Sequence, residues 1–149
     1  MNMEELKQQW NAQVHVWSPD KEERKKERLK LRQIEQQMIQ LISLKAGMIF
    51  YESWGYDQTQ NDFAVIVEVS PTKKTALCRT VGKDRVGDNS VKPNVDWKDG
   101  KLFRLVVGCF HGEATLRGTY PFCDGGTREG SFRLYENCPV YETPEGMGH

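Results

Sequence analysis

The apolar positions of this chain follow two periods, and the change between them falls at Gly47. Before it, apolar residues recur every three or four positions, as on one face of a helix; after it they alternate or run in short blocks, as in strands. Met3 to Gln13 reads as a short helix with Leu6 and Trp10 one turn apart. Trp10, Val14, Val16 and Trp17 then form an apolar group expected to dock on the body of the protein or on a second subunit. Ser18 offers an N-cap oxygen, Pro19 suits a first helical position, and Asp20, Glu22 and Glu23 favour the positive end of a helix dipole. A helix starting there and running from Pro19 to Ala46, with Gly47 as its stop, is about 40 Å long. Its second half carries a core-facing stripe of Leu31, Ile34, Met38, Leu41 and Ile42, whereas Lys21 to Lys30 is almost wholly charged and is expected to face solvent or a partner.

Strand patterning then appears at Met48 to Trp54, Phe63 to Val69 and Thr75 to Val81, followed by a long loop, Gly82 to Gly100, with Val95 and Trp97 as tethers. It resumes at Leu102 to Phe110 and Ala114 to Tyr120. A glycine-rich loop, Asp124 to Gly130, leads to Ser131 to Glu136 and a short edge at Pro139 to Thr143. The implied class is α+β: an N-terminal helical segment over 1–46, with one long helix, followed over 47–149 by a small antiparallel β-barrel, SH3-like or OB-like.

Charge narrows the functional classes. Lys+Arg and Asp+Glu are both 21, so attraction to nucleic acid through bulk charge is excluded and only a local patch can supply it. Residues 1–46 carry nine basic and seven acidic side chains, an excess of two concentrated between Lys21 and Arg32. Lys21, Arg24, Lys25, Arg28 and Arg32 can share a helical face, although Glu22, Glu23 and Glu27 are expected to neutralise much of it. With no long apolar run and a polar N-terminus, the chain reads as cytoplasmic. Its four cysteines, Cys78, Cys109, Cys123 and Cys138, lack the close pairs of a structural zinc site and read as thiols.

Candidate chemistry is sparse. Cys109 and His111 are the only closely spaced metal-ligand types among Cys109, His111, Cys123 and Cys138, so no metal or other cofactor is expected. No phosphate-cradling loop or nucleophile elbow is present, and carboxylates such as Asp57 and Asp62 read as turn caps sooner than as an acid and base, so no catalytic residue is assigned. The aromatic and basic residues point to binding instead, because interface centres favour Trp, Tyr and Arg. Trp54 and Trp97 read as structural; Lys25, Arg28, Arg32, Trp10, Trp17, Tyr56 and Gln58 read as partner-binding.

One segment carries a resemblance. Phe50-Tyr51-Glu52-Ser53-Trp54-Gly55-Tyr56-Asp57-Gln58-Thr59, followed by Asp62-Phe63 and an alternating valine strand, resembles a family of small, mostly uncharacterised phage, plasmid and mobile-element proteins with an SWGYDQT strand-turn signature. Pro139 to Thr143 and Gly148-His149 are similar to that family's closing segment, and Ala64 and Cys138 depart from its pattern. The resemblance implies a mobile-element origin. Such an origin makes the expected activity that of a non-enzymatic inhibitor of a host defence nucleoprotein, of anti-CRISPR type. The alternative is a barrel that binds nucleic acid directly through Lys25, Arg28, Arg32 and Tyr56, and a third reading is a zinc-dependent or other small enzyme. The expected partner is a protein or nucleoprotein, with a CRISPR effector as the specific case; nucleic acid and a homodimer are allowed, and a membrane is not.

Overall fold

Asn2 caps the first helix, its side chain accepting from the Glu5 amide at 2.8 Å, and α1 spans Met3–Val14 with Leu6 buried. The second helix, α2, spans Lys21–Leu41 and is shorter than its sequence pattern predicts at both ends. Asp20, not Ser18, is its cap: the Asp20 carboxylate accepts from the Glu22 amide at 3.2 Å, while the Ser18 hydroxyl accepts from the Asp20 amide. A carboxylate gains from the helix dipole where a hydroxyl does not. At the other end Ile42 adopts an extended backbone before Gly47 is reached, so α2 is about 32 Å long. Its apolar stripe is also adjusted. Met38 and Ile39 are buried, Leu31, Ile34 and Ile42 half-buried, and Leu41 faces solvent.

The computed structural model describes residues 1–55, 58–95, 100–121 and 126–143. Its contacts divide the chain into two units: Met1–Ser43 with Gly108–Ala114, and Leu44–Val107 with Thr115–His149. Within the first unit α1 and α2 pack on each other, and residues 108–114 form the tip of a hairpin.

The second unit is built on strands β1 (Ile49–Trp54), β2 (Gln60–Val69), β3 (Thr75–Arg85), β4 (Ser90–Asn94), β5 (Leu102–Phe110), β6 (Glu113–Pro121), β7 (Thr127–Leu134) and β8 (Val140–Tyr141). Six of them close a ring in the order β2-β1-β7-β6-β5-β3, with β3 returning to pair with β2. The result is an antiparallel β-barrel in which neighbours in sequence are neighbours in space. Alternate strand residues such as Phe50, Leu105, Leu116, Tyr120 and Phe132 are buried. Two predicted loops contain strand. β3 runs on to Arg85 and pairs with β4 from Gly82↔Asn94 to Arg85↔Val91, so much of the 82–100 segment is a ribbon extending the sheet. Pro93 is tolerated there because β8 pairs only with Ser90 and Val91, leaving the far side of Pro93 at an edge. Likewise Thr127 to Gly130 belong to β7, paired with β6. Phe63, Val81 and Val91 form a second small core, packed by Tyr51, Tyr135 and Val140. Val95 is exposed and tethers nothing; Trp97 lies outside the described residues.

Candidate interaction surface

The residues read from sequence as partner-binding separate into two groups. Lys25, Arg28 and Arg32 are all exposed on α2. At 100° per residue Lys21, Lys25, Arg28 and Arg32 fall within about 60° of one another around the helix. Glu23 and Glu27 fall on the opposite side, where Glu23 pairs with Lys26 at 3.4 Å. Two acids border the cationic strip: Glu22, 3.8 Å from Lys25, and Glu35, which falls about 20° beyond Arg28 around the helix. The expected neutralisation of this face by its own acids is therefore incomplete: among the described residues no carboxylate lies within ion-pair distance of Lys21, Arg28 or Arg32. Leu29, 55% exposed, sits beside the strip.

Trp17 precedes α2 and is 70% exposed, the largest ring so presented among the described residues, with the Arg24 guanidinium 6.0 Å from its ring centre. Val14 and Val16 are exposed as well. Trp10 behaves differently. It is half-buried and lines a cavity of about 40 Å³ with Lys7, Asn11, Met38, Cys109 and His111. Burial pushes the Cys109 thiol up; the Gly112 amide opposes this, Glu35 adds to it and Lys7 opposes it. At the hairpin tip Phe110 is exposed, with its ring 4.2 Å from that of His111.

In the barrel unit two clusters of polar side chains form, although Glu52 Oε2 and Arg128 Nε are buried without a hydrogen-bond partner. Glu52 and Asp62 are directly opposite across β1 and β2. Asp62 accepts from the Trp54 indole at 2.7 Å and from the Tyr120 hydroxyl at 2.6 Å, while Glu52 meets Arg128 at 3.5 Å and Arg128 lies over the Trp54 ring at 5.1 Å. Asp62 is thus a strand residue holding two donors, not a turn cap. Burial pushes the Tyr120 phenol well above its ordinary value, with Asp62 adding to the rise. Asp62 therefore links the Trp54 indole on β1 to the Tyr120 phenol on β6. Gly130 makes room for Glu52: a Cβ there would lie 2.1 Å from a Glu52 oxygen.

A second cluster ties the end of the chain to the barrel. Glu142, 3% exposed, pairs with Lys83 and with Arg85 at 3.4 Å and accepts from the Asn61 amide, and the Asn61 side chain donates to the Tyr141 carbonyl. The sequence offered no local signal for this group, since its members lie far apart along the chain. Gln58 is half-buried, Phe103 packs 6.2 Å from Tyr120, and Tyr56, Asp57 and Cys123 lie outside the described residues. Cys78 and Cys109 are buried thiols and Cys138 is exposed. Among the described residues no three metal-ligand types converge, and no helix is long and apolar enough to cross a membrane.

Comparison with protein-family models, curated proteins and solved structures gives no match.

Proposed function

We propose that this chain is a non-enzymatic binding protein that works through its helical unit, with a protein or nucleoprotein as partner. The observation that carries the reading is Trp17, a large ring left exposed beside an arginine, with Arg28 and Arg32, which have no carboxylate within ion-pair distance among the described residues, on the following turns. Exposing a tryptophan forfeits the stabilisation its burial would give, and Trp and Arg are the side chains that most often anchor interfaces. Trp17, Lys25, Arg28 and Arg32 are the contact residues in this reading. Trp10, Gln58 and Tyr56 belong to secondary contacts in this reading.

The specific form of the proposal is a phage or mobile-element product that blocks a host defence nucleoprotein in the cytoplasm, of anti-CRISPR type; its support is the resemblance of the segment around Ser53 to Thr59. The barrel's meander order favours the SH3-like class over an OB fold, whose five strands follow a Greek key. The test is titration of the purified protein into a CRISPR effector cleaving its target. Inhibition complete near one equivalent, and lost in Trp17→Ala, is the expected result. An effector panel neither bound nor inhibited at micromolar concentration overturns the anti-CRISPR form.

A further inference from the structure

We propose that the outer strip of α2, with Trp17 at its N-terminal end, is a site for single-stranded nucleic acid: Lys21, Lys25, Arg28 and Arg32 take successive phosphates and Trp17 stacks a base. This rests on the reading of the helical unit as the binding end and names the chemistry that the unit contacts.

Three observations carry it. The first is segregation of charge. The chain is neutral overall, yet four cations occupy one narrow strip of α2; Glu23 and Glu27 are turned away from it, and Glu22 and Glu35 stand only at its two edges. A solvated helix that needed only solubility would gain from mixing the signs on every face. Second, Lys21, Arg28 and Arg32 lack carboxylate partners among the described residues, so their charge is available to an anion. The four positions span 12 residues of helix, about 16 Å from first to last, and line up with a polyanion's backbone more naturally than with a single carboxylate. Third, Trp17 is exposed where α2 begins, and Arg24 close to its ring adds a cation beside the stacking platform. A base can stack on that ring only if it is already out of a duplex, which favours a single strand over paired nucleic acid and over an acidic protein surface.

The experiment is fluorescence anisotropy with a short labelled single strand of mixed sequence, as DNA and as RNA, in competition with the matching duplex and with polyglutamate. Four phosphate contacts give a slope of log affinity against log salt of about −3, a loss of roughly fiftyfold between about 50 and 200 mM salt. The double variant Arg28→Ala/Arg32→Ala should halve that slope. Trp17→Ala should weaken binding about tenfold at every salt concentration while leaving the slope unchanged. All three side chains are exposed, so these variants keep the fold, and Lys92→Ala on the barrel unit serves as an off-strip control expected to bind like the wild type. Affinity that is independent of salt, equal competition by duplex or polyglutamate, or an equal loss in Lys92→Ala each overturns the inference. Effector inhibition without single-strand binding sinks this inference alone; single-strand binding without inhibition sinks the anti-CRISPR form alone.

Discussion

The two units use the same residue types in opposite ways. In the barrel unit, charged and aromatic side chains meet one another: Glu142 is held by Lys83 and Arg85, Asp62 by Trp54 and Tyr120, and Arg128 divides between Glu52 and the Trp54 ring, leaving Glu52 Oε2 and Arg128 Nε as buried atoms without a hydrogen-bond partner. In the helical unit Arg28, Arg32 and Trp17 face solvent with little of their bonding capacity used inside the chain. The contrast separates structural from functional polarity. Buried polar groups must be answered within the fold because each one left alone is costly, whereas an exposed cation or ring is free to answer something else.

The largest effect expected on this contrast comes from Glu142→Ala, which strands two cations that are each only partly exposed. It should cost about 3 kcal/mol, read as a lower urea midpoint at unchanged denaturant slope. A shift below about 0.5 kcal/mol would mean that the cluster is ornamental. Next comes Gly130→Ala, which drives a methyl into the Glu52 carboxylate and the Tyr120 ring and should cost about 2 kcal/mol. Glu52→Ala in the same chain should recover part of that loss, and strict additivity of the two would refute the crowding argument.

A pH effect follows from Cys78. Burial pushes its thiol up to about 12 from its ordinary value of 9.0, so the unfolded chain releases this proton before the folded one does. The resulting stability is fully present below pH 9 and is lost as pH rises toward 12, at up to about 1.4 kcal/mol per pH unit. Chemical denaturation across that window should show the decline, and Cys78→Ala should shallow it. The smallest effects belong to the helical unit. Arg28→Ala, Arg32→Ala and Trp17→Ala should each leave the thermal midpoint close to wild type, within about 0.5 kcal/mol of stability. A larger loss in any of them would erase the distinction drawn between the two units.

Much of the architecture was legible because its signals are local. Two helices and seven of the strands follow from caps and apolar period. The misreadings share a cause. Gly, Asp, Asn and Pro made 82–100 look like loop, but Lys83 to Arg85 find hydrogen-bonding partners in β4, and that pairing outweighs weak strand propensity. Thr127 to Gly130 were misread for the same reason, since Gly130 is kept small by Glu52 rather than by a turn. On the candidate surface, residue types and helical spacing were visible; which acids faced away from Lys25, Arg28 and Arg32 required the helix register, and the exposure of Trp17 required the fold.

The sequence by itself determined the elements and the shift from helical to strand period at Gly47, because capping, turn chemistry and amphipathic spacing act between near neighbours. Only the tertiary structure decided which strands close the barrel, that Glu142 meets Lys83 across 59 residues, and that Glu52 and Asp62 stand opposite each other. Those outcomes depend on register between distant segments. A shift of one residue reverses every side chain to the other face, and no local pattern records it.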